Sequence, residues 1–429
     1  SQFVIFLLIF SFPLTRKLLN NIIGSKQINF NLIETHSINI IFFIYFCLVC
    51  SFFNIDLKIL FKIYFLLSLA FFIFNFKNYD FEIKKDNFLS FLFFALVTIS
   101  IFFSIAQNLK LEWDGHHWIE KVLVFYHNEE IGNLKDVSTH PYYPHLGSYL
   151  WAFFWKNSFL EFEYFGRFFY VYFYIVSIFL TLNALNLKNN TVKIFLILFL
   201  ILITYDAYLF AGYQEYLIFS SLVIASRYIY LINFKSLDNL KSILLIFLIL
   251  YTVCWFKDEG VVYFSIFSFF LFYFLKITNS QKLFFFLFLT SLLIIQYYLQ
   301  KYIIGIYDFP EKTSLSTILN NLNNFEIFFI KISKILMHCL IAFVKYPLWL
   351  IIIILLLFQL IFIKKIEVHF KYFLTCLLLN LSFIFLIFLT FNHLDFMLRV
   401  SLDRLLFQTS GFYMGLILLV LNNLKLFKK

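Results

Sequence analysis

The sequence predicts an all-α, polytopic integral membrane protein. Of its 429 residues, 62% are hydrophobic and 14% are charged, whereas a water-soluble domain is nearer a quarter charged. Mean hydropathy is +0.87. Apolar runs such as Phe88–Ala106 and Leu283–Leu299 approach the roughly 20 residues that a helix needs to cross a hydrocarbon core. Lipid cannot satisfy exposed backbone groups, so such runs are helical. Their β-branched and aromatic residues do not argue for strands, because alternation with polar residues is absent.

Candidate spans fall at 1–14, 38–53, 57–76, 88–108, 168–185, 194–210, 215–231, 242–256, 260–275, 283–302, 347–363, 372–391 and 405–422, about 13 in all. The first opens inside a hydrophobic run with no initiator Met and no pattern of a cleavable signal peptide. Three units follow: N-terminal helices over 1–108, an extramembrane segment over 109–167, and a helical bundle over 168–429. The five cysteines lie in or beside apolar segments. Cys47-x-x-Cys50 has no second pair, so it reads as small apolar residues packing between helices rather than a zinc or redox motif.

Basic residues orient the spans. Connections at 15–37 (Arg16, Lys17, Lys26), 186–193 (Lys188, Lys193), 232–241 (Lys235, Lys241), 276–282 (Lys276, Lys282) and 364–371 (Lys364, Lys365, Lys371), with the terminal KLFKK, carry much of the net charge of +10. Placing them in the cytoplasm puts 109–167, 212–215, 257–260, 303–325 and 393–404 on the opposite face. The stretch IFFIKISKILMHCLIAFVKYP, punctuated by Lys331, Lys334 and Lys345, is expected to be interfacial or re-entrant. Arg227, inside an apolar run, is expected to snorkel to the cytoplasmic surface. No basic-aromatic pattern for nucleic acid is present.

The 109–167 segment is acidic against the trend. Five basic residues (Lys110, Lys121, Lys135, Lys156, Arg167) face eight acidic ones (Glu112, Asp114, Glu120, Glu129, Glu130, Asp136, Glu161, Glu163), and the segment holds five of the nine His and four of the six Trp. Chemistry concentrates here. DGHHWIEKVLVFYH reads as a short interfacial helix with Asp114, Trp118 and Lys121 on one face. Gly115 is expected to let the chain turn. In THPYYPHLGSYLWAFFWK, Pro141 and Pro144 are expected to hold Tyr142 and Tyr143 extended. An aromatic amphipathic helix at the membrane surface then follows, its Trp and Tyr forming an interfacial belt.

These stretches, WDGHHWIEK and HPYYPHL, resemble the first outer loop of the GT-C superfamily of membrane glycosyltransferases, more narrowly a group of bacterial members with a WD…HW…K signature followed by HP.YP. Three further stretches look similar: GYQEYLIFSSLVIAS (212–226), with its acid at the outer end of a mid-chain helix; WFKDEGVVY (255–263), a Lys-acid-Gly turn; and SLDRLLFQTSGFYMG (401–415), leading into the final span. The resemblance implies a GT-C-like fold in a bacterial inner membrane, with the site facing the periplasm or exterior. The partners it implies are a polyprenyl-phosphate-linked sugar, the bilayer and an unidentified glycan, lipid or protein acceptor. It implies inversion at the anomeric carbon, with the loop acid as base. Many such enzymes carry two adjacent acids in this loop, whereas Asp114 is followed by Gly. This leaves the number of catalytic carboxylates open, with Glu112 and Glu215 as possible partners.

The residues fit that chemistry. Glycosyl transfer needs a carboxylate to accept or orient a hydroxyl proton and cations near the departing phosphate. Asp114 and Glu215 are the candidate catalytic acids. His117, Trp118, Lys121, His140, Tyr143, Lys257, Glu259 and Arg404 are the candidate substrate and phosphate residues, with Arg404 favoured for its bidentate fork. Trp113 and Tyr142 offer further ring faces. Blander roles stand beside these. Asp114 is a residue type that caps helices, Glu215 and 257–259 suit solvated anchors, and Asp403 could pair locally with Arg404. No cofactor is expected. A divalent metal among His116, His117, His127, His140 and His145 is the weaker reading, because His116–His117 and His140–His145 lack helical i, i+4 spacing. Alternative functions are a polymerase or ligase using lipid-linked oligosaccharide, and a transporter or lipid flippase. The scarcity of Gly and Pro inside the spans argues against the last.

Overall fold

A computed structural model describes residues 2–11, 14, 19, 32–74, 85–107, 110–111, 113–137, 140–185, 190–234, 240–306, 325–363, 367–391 and 393–423. Glu112, most of 15–31 and of 303–325, and the terminal KLFKK lie outside these, as does the Trp113 side chain. The described residues contain helices and no strand. Among the described residues, eight helices are long and apolar enough to cross a membrane: Ile33–Cys50, Leu57–Phe74, Ser90–Gln107, Tyr164–Asn183, Asn279–Ile303, Glu326–Lys345, Val368–Leu389 and Leu394–Asn423. Shorter apolar helices accompany them at Gln2–Ser11, Asn190–Thr204, Leu240–Trp255, Glu259–Phe274 and Pro347–Phe362.

The Glu215–Leu231 helix is the centre of the molecule. Every residue from Glu215 to Ile229 is buried. It packs against Tyr164–Asn183, Leu240–Thr252 and the final helical run. Small residues permit close approach, as membrane helix packing favours: a Cβ on Gly411 would stand 2.5 Å from the Phe219 carbonyl oxygen. Aromatic side chains fill the remainder, with Phe219 stacked on Phe407 at 4.9 Å and Phe210 on Tyr216 at 3.8 Å.

Five expectations change. Arg227 does not snorkel: it is buried and pairs with Glu34 at 2.7 Å, because that carboxylate from the Leu32–Cys50 helix meets it inside the bundle. The Leu146–Lys156 helix does not lie on a surface, since Leu146 through Phe154 are all buried. Trp151 is fully buried beneath Arg167, so this helix is core rather than an aromatic belt. Tyr142 and Tyr143 occupy a turn, closed by the Tyr143 amide donating to the His140 carbonyl at 3.1 Å, with His140 at φ 49°. Gly115 turns no chain: it is helical, within Trp113–Tyr126. The Lys-punctuated stretch is one continuous helix, Phe325–Lys345, that runs beside 391–403.

Candidate functional site

Three helix starts and the last helical run meet on one side of the bundle. Asp114 is in the first turn of Trp113–Tyr126, Glu215 opens Glu215–Leu231, Glu259 opens Glu259–Phe274, and Arg404 is the second residue of Asp403–Ser410. Three of these residues are carboxylates at the positive end of a helix dipole, where anions are favoured. Arg404 lies inside the continuous helical run Leu394–Asn423, a largely buried cation that needs acids around it.

It has them. The guanidinium donates through Nη1 to Asp114 Oδ2, and the same nitrogen is 3.6 Å from Glu215 Oε1. Lys257 Nζ donates to that Glu215 oxygen at 2.9 Å. One buried carboxylate is thus shared by two cations. Tyr213 turns its ring to the guanidinium at 5.1 Å, a favourable cation–π distance. The alternative of a local Asp403–Arg404 pair is not met: Asp403 pairs with Lys345 at 2.6 Å. The buried atoms Glu215 Oε2, Glu259 Oε2 and Arg404 Nε have no hydrogen-bond partner. Side-chain exposure is 13% at Arg404 and 19% at Asp114, so the pair is reached from outside, while Glu215 and Lys257 stand behind it.

Charge and burial set the protonation. Burial works to raise the Asp114 carboxyl, but Arg404 and then Lys257 outweigh it and hold it below the usual carboxylate range. At Lys257 burial opposes the charge, and Glu215 and Glu259 prevail, holding the ammonium above its ordinary range. Asp258 is pushed up to about 7 by burial and by its neighbour Glu259.

Backbone contact fixes this geometry. A Cβ on Gly115 would stand 2.3 Å from the Ala211 carbonyl oxygen, and one on Gly212 would stand 2.7 Å from the Gly115 Cα. Gly212 also has φ +101°, which favours glycine. The helix carrying Asp114 therefore docks main chain to main chain on the turn that leads into Glu215.

An aromatic wall rises beside the acids. Trp118 and Tyr143 stack at 5.5 Å and 15°, His140 stacks on Tyr143 at 4.9 Å, and His117 meets His140 edge-on at 5.2 Å. His140 Nδ1 and the Tyr142 hydroxyl share a hydrogen bond of 2.8 Å. Lys121 holds the wall from beneath, donating to the carbonyls of Pro141 at 3.2 Å and Tyr143 at 2.5 Å. Burial pulls its ammonium down to about 7, against the opposing influence of Asp258.

Asp114, Glu215, Lys257 and Arg404 are thus joined in one network. Glu259 acts on Lys257 and His117 on Asp114. Trp118, His140 and Tyr143 make the wall. Lys121 was expected to hold phosphate; its bonds to two carbonyls and its burial give it a structural place instead. Two neighbours stood outside the candidate set, Tyr213 and Asp258, the latter weighed only as part of 257–259. Each adjoins a candidate or lies one residue from it in sequence (Asp258 beside Lys257, Tyr213 two before Glu215), and that adjacency was the available signal. His145 is buried, its Nε2 bonded to Ser51 Oγ at 2.8 Å. Among the described residues, no three or more His, Cys, Asp or Glu side chains gather as a metal ion would require. Comparison with protein-family models, with curated proteins and with solved structures gave no match.

Proposed function

We propose that the protein is a GT-C-like, inverting glycosyltransferase that moves a sugar from a polyprenyl phosphate to an acceptor hydroxyl at the non-cytoplasmic face of a bacterial inner membrane. In this reading the shorter apolar helices also cross, giving about 13 spans, while Phe325–Lys345 lies along the outer boundary. The observation that carries the proposal is the Arg404 guanidinium donating to Asp114 while lying 3.6 Å from Glu215, with Lys257 behind.

The donor phosphate meets Arg404, whose Nε is unpartnered, and draws the guanidinium away from Asp114. A paired Asp114 is a poor base; an Asp114 relieved of its cation is a better one. The acceptor hydroxyl gives its proton to Asp114 as its oxygen attacks the anomeric carbon. The bond from that carbon to the phosphate oxygen breaks, and the electron pair leaves with the polyprenyl phosphate. Arg404 stabilises the charge on the departing group. The proton passes from Asp114 to water. His140, the partly exposed end of the stack on Tyr143 and Trp118, offers a face for the sugar ring, and Glu215, itself fixed by Lys257, holds Arg404 in place.

The test supplies purified protein in bilayers with polyprenyl-phosphate sugars and compares Asp114→Asn with the parent. Transfer by the parent and its loss in the variant support the proposal. Equal turnover removes Asp114 from the mechanism. Transfer only from pyrophosphate-linked oligosaccharides makes the protein a polymerase or ligase. Movement of substrate with no covalent change makes it a transporter.

A further inference from the structure

The Phe325–Lys345 helix and the segment 393–403 enclose a cleft of about 400 Å³, separate from the acids at Arg404. Its lining is mixed: Ile327, Ile330 and Phe396 are apolar, while Lys331, Lys334 and His393 bring donors. Lys331 Nζ donates to the Phe391 carbonyl at 3.1 Å, Lys334 pairs with Asp395 at 2.8 Å, and Lys345 pairs with Asp403 at 2.6 Å. Arg404 is the next residue. The helix thus runs beside 391–403 for about 21 Å and delivers a row of cations to the candidate site.

Among the described residues lining the cleft, Lys331 and Lys334 face one carboxylate, Asp395, on which Lys334 and Arg399 both act. The Lys334–Asp395 pair is open to solvent, 44% and 57% exposed, and a pair of that kind is weakly held, so an incoming phosphate can take the place of Asp395. Met337, Leu340, Ile341 and Val344 continue the apolar side of the cleft along the same helix toward Lys345 as an exposed, bilayer-facing strip.

We infer that this cleft is a lateral port for an anionic lipid: a polyprenyl phosphate seats its headgroup between Lys331 and Lys334, lays its tail along the apolar strip, and advances past Lys345 to Arg404. The inference rests on the proposed donor chemistry. A free phosphate would satisfy the lysines and leave the apolar lining of Ile327, Ile330, Leu394 and Phe396 unfilled, so the lining selects the lipid.

The test reads binding rather than transfer. Ile330→Cys and Phe396→Cys are combined in the full chain in nanodiscs and bridged across the cleft with a short thiol-cleavable bis-methanethiosulfonate; parent protein receives the same reagent as a control. The probes are a long-chain photoreactive polyprenyl phosphate and photoreactive geranyl phosphate, which reaches the site from water. Bridging is expected to slow labelling by the long-chain probe about tenfold, with recovery on reduction and unchanged labelling by geranyl phosphate. Lys331→Gln with Lys334→Gln, which leaves the apolar lining intact, is expected to weaken long-chain labelling without any bridge. The port is overturned if bridged and reduced proteins label alike, if both lysines can be removed without effect, or if inorganic phosphate displaces the long-chain probe as well as unlabelled lipid does. Normal lipid labelling with no sugar transfer from any donor overturns the glycosyltransferase reading alone. Sugar transfer with labelling indifferent to the bridge overturns the port alone.

Discussion

The Arg404 guanidinium donates to the carboxylate of Asp114 across 290 positions of sequence. That single bond joins the Trp113–Tyr126 helix to the last helical run, and it makes the two residues experimentally separable. Asp114→Asn keeps the size and removes the proposed base, so kcat for the proposed transfer is expected to fall by about 10²–10⁴ with donor KM little changed. Arg404→Lys keeps the charge and loses the fork, so donor KM is expected to rise. Steady-state kinetics on the two variants check this split, and a KM effect alone at Asp114 reduces it to a positioning residue.

The Lys257–Glu215 pair predicts a stability pattern. Breaking a buried pair from one side leaves an uncompensated charge and costs about 3–5 kcal/mol. Glu215→Gln is therefore expected to lower the thermal midpoint clearly. Adding Lys257→Met removes the stranded ammonium and is expected to recover most of the loss. Thermal unfolding of both variants in detergent decides it, and a double variant worse than the single one contradicts the arrangement.

Asp258 gives a pH dependence. Its folded carboxyl is held at about 7, against 3.8 ordinarily. Below the ordinary value both states are protonated and the group contributes nothing. Between there and about 7 the unfolded chain has released a proton that the folded chain retains, so stability falls as pH rises. Above about 7 the loss is complete. Asp258→Asn is expected to flatten this part of the curve between pH 4 and 7, measured as thermal midpoint against pH; an unchanged slope means Asp258 is not the group responsible.

Gly115→Ala sets propensity against packing. Alanine favours a helix by about 1 kcal/mol, but its Cβ would stand 2.3 Å from the Ala211 oxygen, and overpacking of that kind costs about 1–3 kcal/mol. Net destabilisation is expected, with weaker transfer as Asp114 shifts from Arg404. Gly132→Ala is the control: nothing lies within 4 Å of its added Cβ, so stability and transfer should both hold. Equal behaviour of the two variants would contradict the tight docking at Gly115.

Membrane character was legible because hydrophobic content is a property of the whole chain, and the acid-rich 109–167 segment stood out because titratable residues are rare elsewhere. Positive charge placed Asp114, Glu215, Lys257 and Arg404 on one expected face, and all four belong to one network. What stayed hidden was pairing. Nothing local to Arg227 reveals that Glu34 waits inside the bundle, and nothing local to Asp403 reveals that Lys345 takes it from Arg404. The Leu146–Lys156 helix misled for a related reason: an aromatic-rich helix suits a membrane surface and a crowded core equally, and the neighbours decide which. Gly115 read as a bend because its partner, the backbone at 211–212, is almost a hundred positions away.

The Glu215–Leu231 helix is tethered at both extremities, to Lys257 at its start and to Glu34 through Arg227 near its end. The tethers are about 18 Å apart along the axis and come from different neighbours, so sliding or rotation would rupture at least one of them. It serves as the molecule's fixed keel. Whatever swings to admit a substrate has to swing at the rim, and the acid at the keel's head stays where the bundle put it.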